Sequence, residues 1–208
     1  MKVLLINGSP NPAGCTFTAL SEVARILEQE GIETEIFQVG KLPIRGCTDC
    51  GGCNKPGMDR CIFDNDPVNR ALDKVREADG LVVGSPVHYA GASGMLTSLL
   101  DRMFFAGDCF ANKPGAAIVS CRRGGATAAF DQLIKYFTIS QMPVVSSQYW
   151  NMVHGFTPDD VRQDLEGMQT MRTLARNMAW LLKSIQAGQA AGLPLPETEP
   201  RIMTNFIR

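Results

Sequence analysis

KVLLINGSPNPAGCTFT, residues 2–18, joins an apolar run to a turn of small residues and to the start of a helix. The run Lys2–Asn7 predicts a short buried strand, because a brief apolar stretch ahead of Gly and Pro is typical of a strand delivered into a turn. From Phe17 apolar residues recur at a helical period until Gly31, a residue type that commonly ends a helix. The segment therefore predicts a strand, a loop and a helix in that order.

The same alternation of strand and helix continues through the rest of the chain. Further strands are predicted at Ile32–Val39, Leu81–Val83, Ala116–Ser120 and Val144–Trp150. Further helices are predicted from Asp66–Pro67 to Gly80, around Leu96–Met103 and Phe130–Phe137, and from Thr157–Pro158 to Ile185. Strands that alternate with helices form parallel sheets through right-handed crossovers. The predicted fold class is therefore α/β, a three-layer doubly wound fold with a five-stranded parallel sheet.

Composition and charge favour a small-molecule ligand over a polymer or a membrane. The chain has 208 residues, with 20 basic and 21 acidic side chains and a formal net charge of -1. This balance gives no reason to expect nucleic acid or an anionic membrane as a partner. The apolar patch Val3–Ile6 is too short for a signal peptide or a membrane span, so a cytoplasmic protein is expected.

One domain with an insertion accounts for the length. We predict a domain over residues 1–187 that contains a cysteine-rich insertion at about residues 46–64. After about Ala187 the composition turns to Gly, Ala and Pro, so residues 188–208 are predicted to form an extended C-terminal arm. An arm that embraces a partner subunit and a frayed tail both fit this composition.

The loop after the first strand has the chemistry of a phosphate site. Residues 8–18 offer backbone N–H groups, hydroxyls and the positive end of a helix dipole, which together can hold a phosphate without Lys or Arg. The triphosphate motif G-x-x-x-x-G-K-[ST] and the dinucleotide motif G-x-G-x-x-G are both absent from the sequence, which favours a monophosphate. The alternative is that Ser9, Pro10 and Gly14 are ordinary turn residues and Thr16 a helix cap.

Two further loops follow predicted strands at the same edge, where ligands collect in open parallel sheets. Residues 84–91 carry an aromatic ring and several backbone donors, which could line a flat ring system. Residues 120–125 carry glycines, exposed amides and the guanidinium groups of Arg122 and Arg123, which suit a ring edge or a phosphate. His88 and Tyr89 as packing or surface residues, and both arginines as solvated side chains, are the alternatives.

The loop residues Gly8-Ser9-Pro10 with Thr16, then GSPVHY at 84–89, GML at 94–96 and LDR at 100–102 resemble the NADPH-dependent FMN reductase and flavodoxin-like oxidoreductase family. The likeness spans most of residues 1–185 and implies a flavodoxin-like fold with noncovalently bound FMN. It places around the FMN phosphate Ser9, Asn11, Thr16, Phe17 and Thr18. It places around the isoalloxazine ring and ribityl chain Ser85, Pro86, Val87, His88 and Tyr89. It places at the opposite ring edge Ser120, Arg122, Arg123, Gly124 and Gly125.

The resemblance implies an oxidoreductase that passes electrons from NAD(P)H through FMN to a quinone, a flavin or another small-molecule acceptor. It also implies a homodimer or homotetramer. No side chain is assigned as a general acid or base, since hydride transfer mainly requires stacked rings. Two alternatives stay open: an electron carrier without its own NAD(P)H site, and a flavodoxin-like regulatory module without a cofactor.

Four of the seven cysteines form the pattern C-x2-C-x2-C-x7-C at Cys47, Cys50, Cys53 and Cys61. Within the family this pattern is similar to the iron-sulfur flavoprotein branch, which implies that these thiolates bind a 4Fe-4S cluster. Free or redox-active thiols and a zinc site are the alternatives, although structural zinc sites more often show two separated cysteine pairs.

Overall fold

Strands and helices alternate in the computed structural model, which describes residues 1–197, 199–200, 202 and 204. The strands are β1 (Lys2–Asn7), β2 (Glu33–Gln38), β3 (Gly80–His88), β4 (Gly91–Ala92), β5 (Gly115–Cys121) and β6 (Met152–His154). The helices are α1 (Cys15–Gln29), α2 (Val68–Arg76), α3 (Gly94–Ala106), α4 (Ala126–Ile139), α5 (Pro158–Gln163) and α6 (Leu165–Ala190). A single 3-10 turn, Gly52–Asn54, lies in the cysteine-rich segment.

Five of these strands form a parallel sheet in the order β2-β1-β3-β5-β6. This is the strand order of the flavodoxin-like doubly wound fold, in which successive strands are added first on one side of β1 and then, from β3 onward, on the other. The sixth strand, β4, is only two residues long and pairs antiparallel with the end of β3. The predicted fold class is confirmed, with six strands instead of five.

Helices cover both faces of the sheet, and alternate residues of the central strand β1 pack against the two helix layers. Leu4 and Ile6 pack with α2, α3 and α4, whereas Val3 and Leu5 pack with α1, α5 and α6. All four side chains are fully buried. The result is a three-layer structure in which the loops at the carboxyl ends of the strands remain available for ligand binding. In the part of the chain described, no helix combines the length and hydropathy needed to cross a membrane.

The predicted strand Val144–Trp150 is wrong. Within this stretch, the backbone pairing with β5 is limited to Val144 and Val145, through a bridge to Gly115 and a 2.8 Å hydrogen bond from the Val145 N–H to the Gly115 carbonyl. The Ser147 hydroxyl then donates to the Tyr149 carbonyl at 2.7 Å and turns the chain away from the sheet. Such local bonds compete with strand pairing. The chain rejoins the sheet as β6, further along than predicted.

The last helix starts where predicted but is interrupted. Thr157 and Asp160 form a reciprocal capping box at the start of α5. Asp164 separates the two helices, and its carboxylate accepts the Gly167 N–H at 2.9 Å as the cap of α6. Helix α6 continues to Ala190, three residues into the predicted arm. Of that arm, residues 198, 201, 203 and 205–208 lie outside the described residues, and the domain boundary stays a prediction.

Candidate functional site

The three predicted loops meet at the carboxyl edge of the sheet, because β1, β3 and β5 are adjacent and parallel. The Gly8 N–H donates to the Gly84 carbonyl at 2.8 Å, which joins the first loop to the second. A Cβ at Gly8 would lie 2.5 Å from the Leu96 side chain and 2.8 Å from the Gly84 oxygen. Only glycine fits where these backbones approach so closely.

Side chains fix the shape of the first loop from within. The Ser9 N–H donates to Asn7 Oδ1 at 3.2 Å, and the Asn11 N–H donates to Ser9 Oγ at 3.1 Å. The Ala13 N–H donates to Asn11 Oδ1 at 3.2 Å. From β2, Gln38 Nε2 donates to the Ser9 carbonyl at 2.7 Å. The loop is therefore preshaped by the chain itself, with Ser9 buried and Asn11 exposed.

Helix α1 begins with unused backbone donors. Its N-cap is Gly14, which has no side chain to cap the helix, and the Thr18 N–H makes the first helical bond, to the Gly14 carbonyl at 3.0 Å. The N–H groups of residues 15–17 precede that bond and have no acceptor within the helix. Thr16 is thus not the helix cap. Its hydroxyl lies 2.8 Å from that of Ser120, which ties the first loop to the third.

The second loop is a hairpin that extends beyond the sheet. Strand β3 continues to His88, turns at Tyr89 and Ala90, which both have positive φ (49° and 60°), and returns as β4. Positive φ at both turn residues matches the twist of a two-residue hairpin. The side chains of His88 and Tyr89 are exposed, and Ser85, at the base of the hairpin, accepts the Ser93 N–H at 2.9 Å.

The third loop packs against this hairpin. Gly125 has a φ of 87°, and a Cβ there would lie 2.7 Å from the Ala90 Cα. Arg122, Arg123 and Gly124 are exposed, so their polar groups face solvent beside the hairpin. The three loops therefore form one contiguous surface, as predicted.

A fourth loop, residues 155–157 between β6 and α5, also lies at this edge, and sequence reasoning missed it. The Cys15 thiol donates to the Gly155 carbonyl at 3.6 Å, and burial raises the pKa of that thiol. Arg122 lines one open pocket together with His154, Gly155, Phe156 and Asp160. The loop was overlooked because the last strand was predicted too early, at Val144–Trp150. The helix-start pair Thr157-Pro158 at the end of the loop could have indicated its position.

The four clustered cysteines lie around one cavity. Its walls include Ile62 and Phe63 from the same segment and Arg102, Phe105 and Ala106 from α3. Burial raises the pKa of the Cys53 thiol, and the neighbouring sulfurs of the other three cysteines raise it further. Among the described residues, no three His, Cys, Asp or Glu side chains are arranged to hold a single metal ion.

Comparison with known proteins adds a family likeness. The family model described as NADPH-dependent FMN reductase matches residues 1–157. An iron-sulfur flavoprotein of Methanocaldococcus jannaschii is 34% identical over 195 residues, which cover 89% of this chain and 100% of that protein. An iron-sulfur flavoprotein of Methanosarcina thermophila is 28% identical, with 89% of this chain and 97% of that protein covered. The solved structure of a flavodoxin from the domain Archaea has a TM-score of 0.60 at 16% identity and covers 88% of this chain and 99% of its own, a likeness of fold.

Proposed function

Because this chain belongs to the NADPH-dependent FMN reductase family, we propose that it binds FMN noncovalently and passes electrons from NAD(P)H through the flavin to a second acceptor. The observation that carries the proposal is the preshaped loop ahead of α1, which points unused amides at the carboxyl edge of the sheet. Amides at a helix N-terminus are suited to a phosphate group.

Among the predicted phosphate-site residues, hydrogen bonds within the loop distinguish those that maintain its shape from those left to bind a phosphate. Both donors of Thr18 go to the Gly14 carbonyl, the N–H at 3.0 Å and the hydroxyl at 3.1 Å. Thr18 therefore maintains the turn. The amides of Thr16 and Phe17 and the side chains of Ser9 and Asn11 are left as the groups that would meet the phosphate.

The remaining loops would hold the rings. The hairpin residues 85–89 and the third-loop residues 120–125 lie at the ends of adjacent parallel strands, so they would supply backbone and side-chain donors at one edge of the sheet. FMN, when bound, supplies the hydride and electron chemistry. The exposed guanidinium of Arg122, beside the open pocket at residues 154–156, would attract the phosphate of NAD(P)H.

Flavin binding tests the first half of this function. The apoprotein is titrated with FMN and with riboflavin, which lacks the phosphate. We expect FMN to bind at least tenfold more tightly, since each charged hydrogen bond contributes about 1.5–3 kcal/mol. Equal affinities would rule out phosphate capture by the α1 loop, and a protein that takes up neither flavin would be the cofactor-free module.

NAD(P)H oxidation tests the second half. Under anaerobic conditions, NADH and NADPH are mixed with the FMN-loaded protein and bleaching of the flavin is followed, then turnover with a quinone or free flavin. We expect bleaching, and we expect Arg122→Ala to raise the KM for NAD(P)H several-fold while Arg25→Ala, on the exposed face of α1, leaves it unchanged. FMN that is not bleached by either nucleotide would instead identify an electron carrier.

A second proposal concerns the cysteine cavity: Cys47, Cys50, Cys53 and Cys61 bind a 4Fe-4S cluster. It is supported by the placement of all four around one cavity and by the iron-sulfur flavoproteins among the relatives. Four thiolates are the donor set that such a cluster requires, and the apolar wall of Ile62, Phe63 and Phe105 suits a low-polarity site. The cluster, when bound, would carry single electrons beside the flavin.

Metal analysis of anaerobically purified protein tests this proposal. We expect iron and acid-labile sulfide in equal amounts, and their loss when any of the four cysteines is replaced by serine. Cys109→Ser is the matched control, because Cys109 is also partly buried but lies away from this cavity. Zinc without sulfide, or four reactive thiols without metal, would contradict a cluster.

A further inference from the structure

Arg102 is the largest fully buried side chain of the core, with 1% of its side chain exposed. It lies on α3, at the wall of the cysteine cavity. A buried guanidinium is costly unless every donor finds an acceptor and its charge is balanced. Its contacts are therefore informative.

All three guanidinium nitrogens are used, and every acceptor belongs to the cysteine-rich segment and its continuation. Nη1 pairs with the Asp66 carboxylate and donates to the Arg45 carbonyl at 3.2 Å. Nη2 donates to the Phe63 carbonyl at 2.8 Å. Nε donates to Cys61 Sγ at 3.3 Å. One side chain of α3 thus holds residues near both ends of the segment 45–66.

Cys61 is the most restrained of the four cysteines. Its N–H donates to Asn69 Oδ1 at 3.0 Å, and Asn69 Nδ2 donates back to the Cys61 carbonyl at 2.9 Å. Asn69 is itself buried at the start of α2. Cys47 and Cys50 are exposed by comparison. Backbone and sulfur of Cys61 are therefore both fixed, the first by α2 and the second by α3.

We propose that Arg102 is a positioning residue that closes the segment 45–66 against α3, orients the Cys61 sulfur in the cavity and tunes the reduction potential of the cluster there. The last part rests on the proposed cluster. An N–H bond to a ligating sulfur, from a cationic group, stabilises the more negative reduced state and so raises the reduction potential. When no cluster is bound, the Asp66 carboxylate balances the charge of Arg102, and it also accepts the Val68 N–H, at the start of α2, at 3.2 Å.

Hydrogen–deuterium exchange of the metal-free protein tests the closing role. In Arg102→Lys the planar set of donors is lost, and we expect amides of residues 45–66 to exchange at least about tenfold faster, with β1 and β5 unchanged. Arg25→Lys is the matched control, since Arg25 also forms a two-pronged pair, with Glu22, but on the surface. Exchange in residues 45–66 that equals wild type would overturn the closing role.

The reduction potential of the iron-loaded protein tests the electrostatic role, which a merely structural residue would not change. Potentiometric titration followed by electron paramagnetic resonance should give a more negative midpoint for Arg102→Lys than for wild type and Arg25→Lys. The double substitution D66N/R102Q leaves no buried unpaired charge and should shift the midpoint in the same direction. An unchanged midpoint in both variants would refute the electrostatic role. If wild type binds no iron, the cluster proposal and this role fail together, and exchange alone decides the closing role.

Discussion

Thr16 shows how a single buried hydroxyl connects distant parts of the site. It is 1% exposed, and its partner Ser120 is 4% exposed, so neither hydroxyl can turn to water. The pair lies 104 residues apart in sequence. Sequence reasoning selected both residues through a family resemblance, but the bond between them depends on the neighbouring placement of α1 and β5 and follows from no local pattern.

We predict that Thr16→Val destabilises the protein and weakens FMN binding. Valine keeps the shape of threonine but leaves the Ser120 hydroxyl buried without this partner, at a cost of about 1–3 kcal/mol. Urea unfolding and FMN titration measure the two effects, with affinity falling several-fold. Thr138→Val serves as the control because Thr138 is exposed and bonds only within its own helix. Wild-type values for both quantities in Thr16→Val would show that the pair is dispensable.

Glu22 gives the protein a predictable sensitivity to acid. Its pKa is held below its ordinary value, first by the hydrogen bond from Arg25 and then by Arg172 of α6, against the opposing effect of burial. Because the pKa is lower in the folded state than in the unfolded chain, this stabilisation is present above about pH 4.5 and is lost as pH falls through the folded pKa. The contact joins α1 to α6.

We therefore predict that Glu22→Gln lowers the free energy of unfolding by about 1 kcal/mol at neutral pH and by progressively less as the pH falls below 4. Urea unfolding across this range measures the difference. Glu197→Gln, in an exposed stretch after α6, should match wild type throughout. A constant difference between Glu22→Gln and wild type at all pH values would show that the ion pairs of Glu22 are not its cause.

Among the elements, α3 contacts both proposed sites. Near its start Leu96 fills the space beside Gly8 of the first loop. Further along, Arg102, Phe105 and Ala106 line the cysteine cavity. Six residues separate Leu96 from Arg102, about 9 Å along the helix axis. A single rigid helix therefore sets the distance between the flavin loop and the cysteine segment.

Gly125 of the third loop packs against Ala90 of the hairpin, so a substitution at Gly125 tests this contact. Alanine there would adopt an unfavourable positive φ and would place its Cβ against the backbone of Ala90. We expect Gly125→Ala to lower stability by about 1–3 kcal/mol and to weaken FMN binding by displacing the hairpin. Gly46→Ala is the matched control, since Gly46 is exposed outside the flavin loops and nothing lies within 4 Å of its added Cβ. Thermal melts and FMN titration check both; equal behaviour of the two variants would disprove hairpin displacement.

The elements also show what sequence patterns can and cannot predict. Buried runs such as β1 and capping residues such as Thr157-Pro158 act locally, so their positions were predicted correctly. The strand at Val144–Trp150 was predicted wrongly because its apolar and aromatic residues lie beside Ser147, whose hydroxyl bends the chain, and Tyr149 and Trp150 stay about half exposed. The break between α5 and α6 at Asp164 was missed because an Asp residue within a helical pattern does not show, in the sequence, that its carboxylate will cap a new helix through the Gly167 N–H. The fourth loop, residues 155–157, was missed because the preceding strand was predicted at the wrong position.

In the whole molecule, one sheet edge brings together residues that lie between positions 8 and 157 of the 208-residue chain. Loops after β1, β3, β5 and β6 meet there, and each leads into a helix that packs on one of the two core layers. A ligand that contacts several of these loops would therefore join both layers. Binding at that edge should stabilise the entire fold and not only the loops.

We accordingly predict that saturating FMN raises the melting temperature of the apoprotein in one cooperative transition. At a free concentration of about 100 times Kd the stabilisation is about 2.7 kcal/mol, which corresponds to roughly 5–10 °C for a chain of this size. Riboflavin at the same concentration should give a smaller shift, because it lacks the phosphate that the α1 amides are proposed to hold. Gly125→Ala should reduce the FMN shift, whereas Gly46→Ala should retain it. Differential scanning calorimetry checks all of these, and an FMN-independent melt in wild type would refute binding at the carboxyl edge.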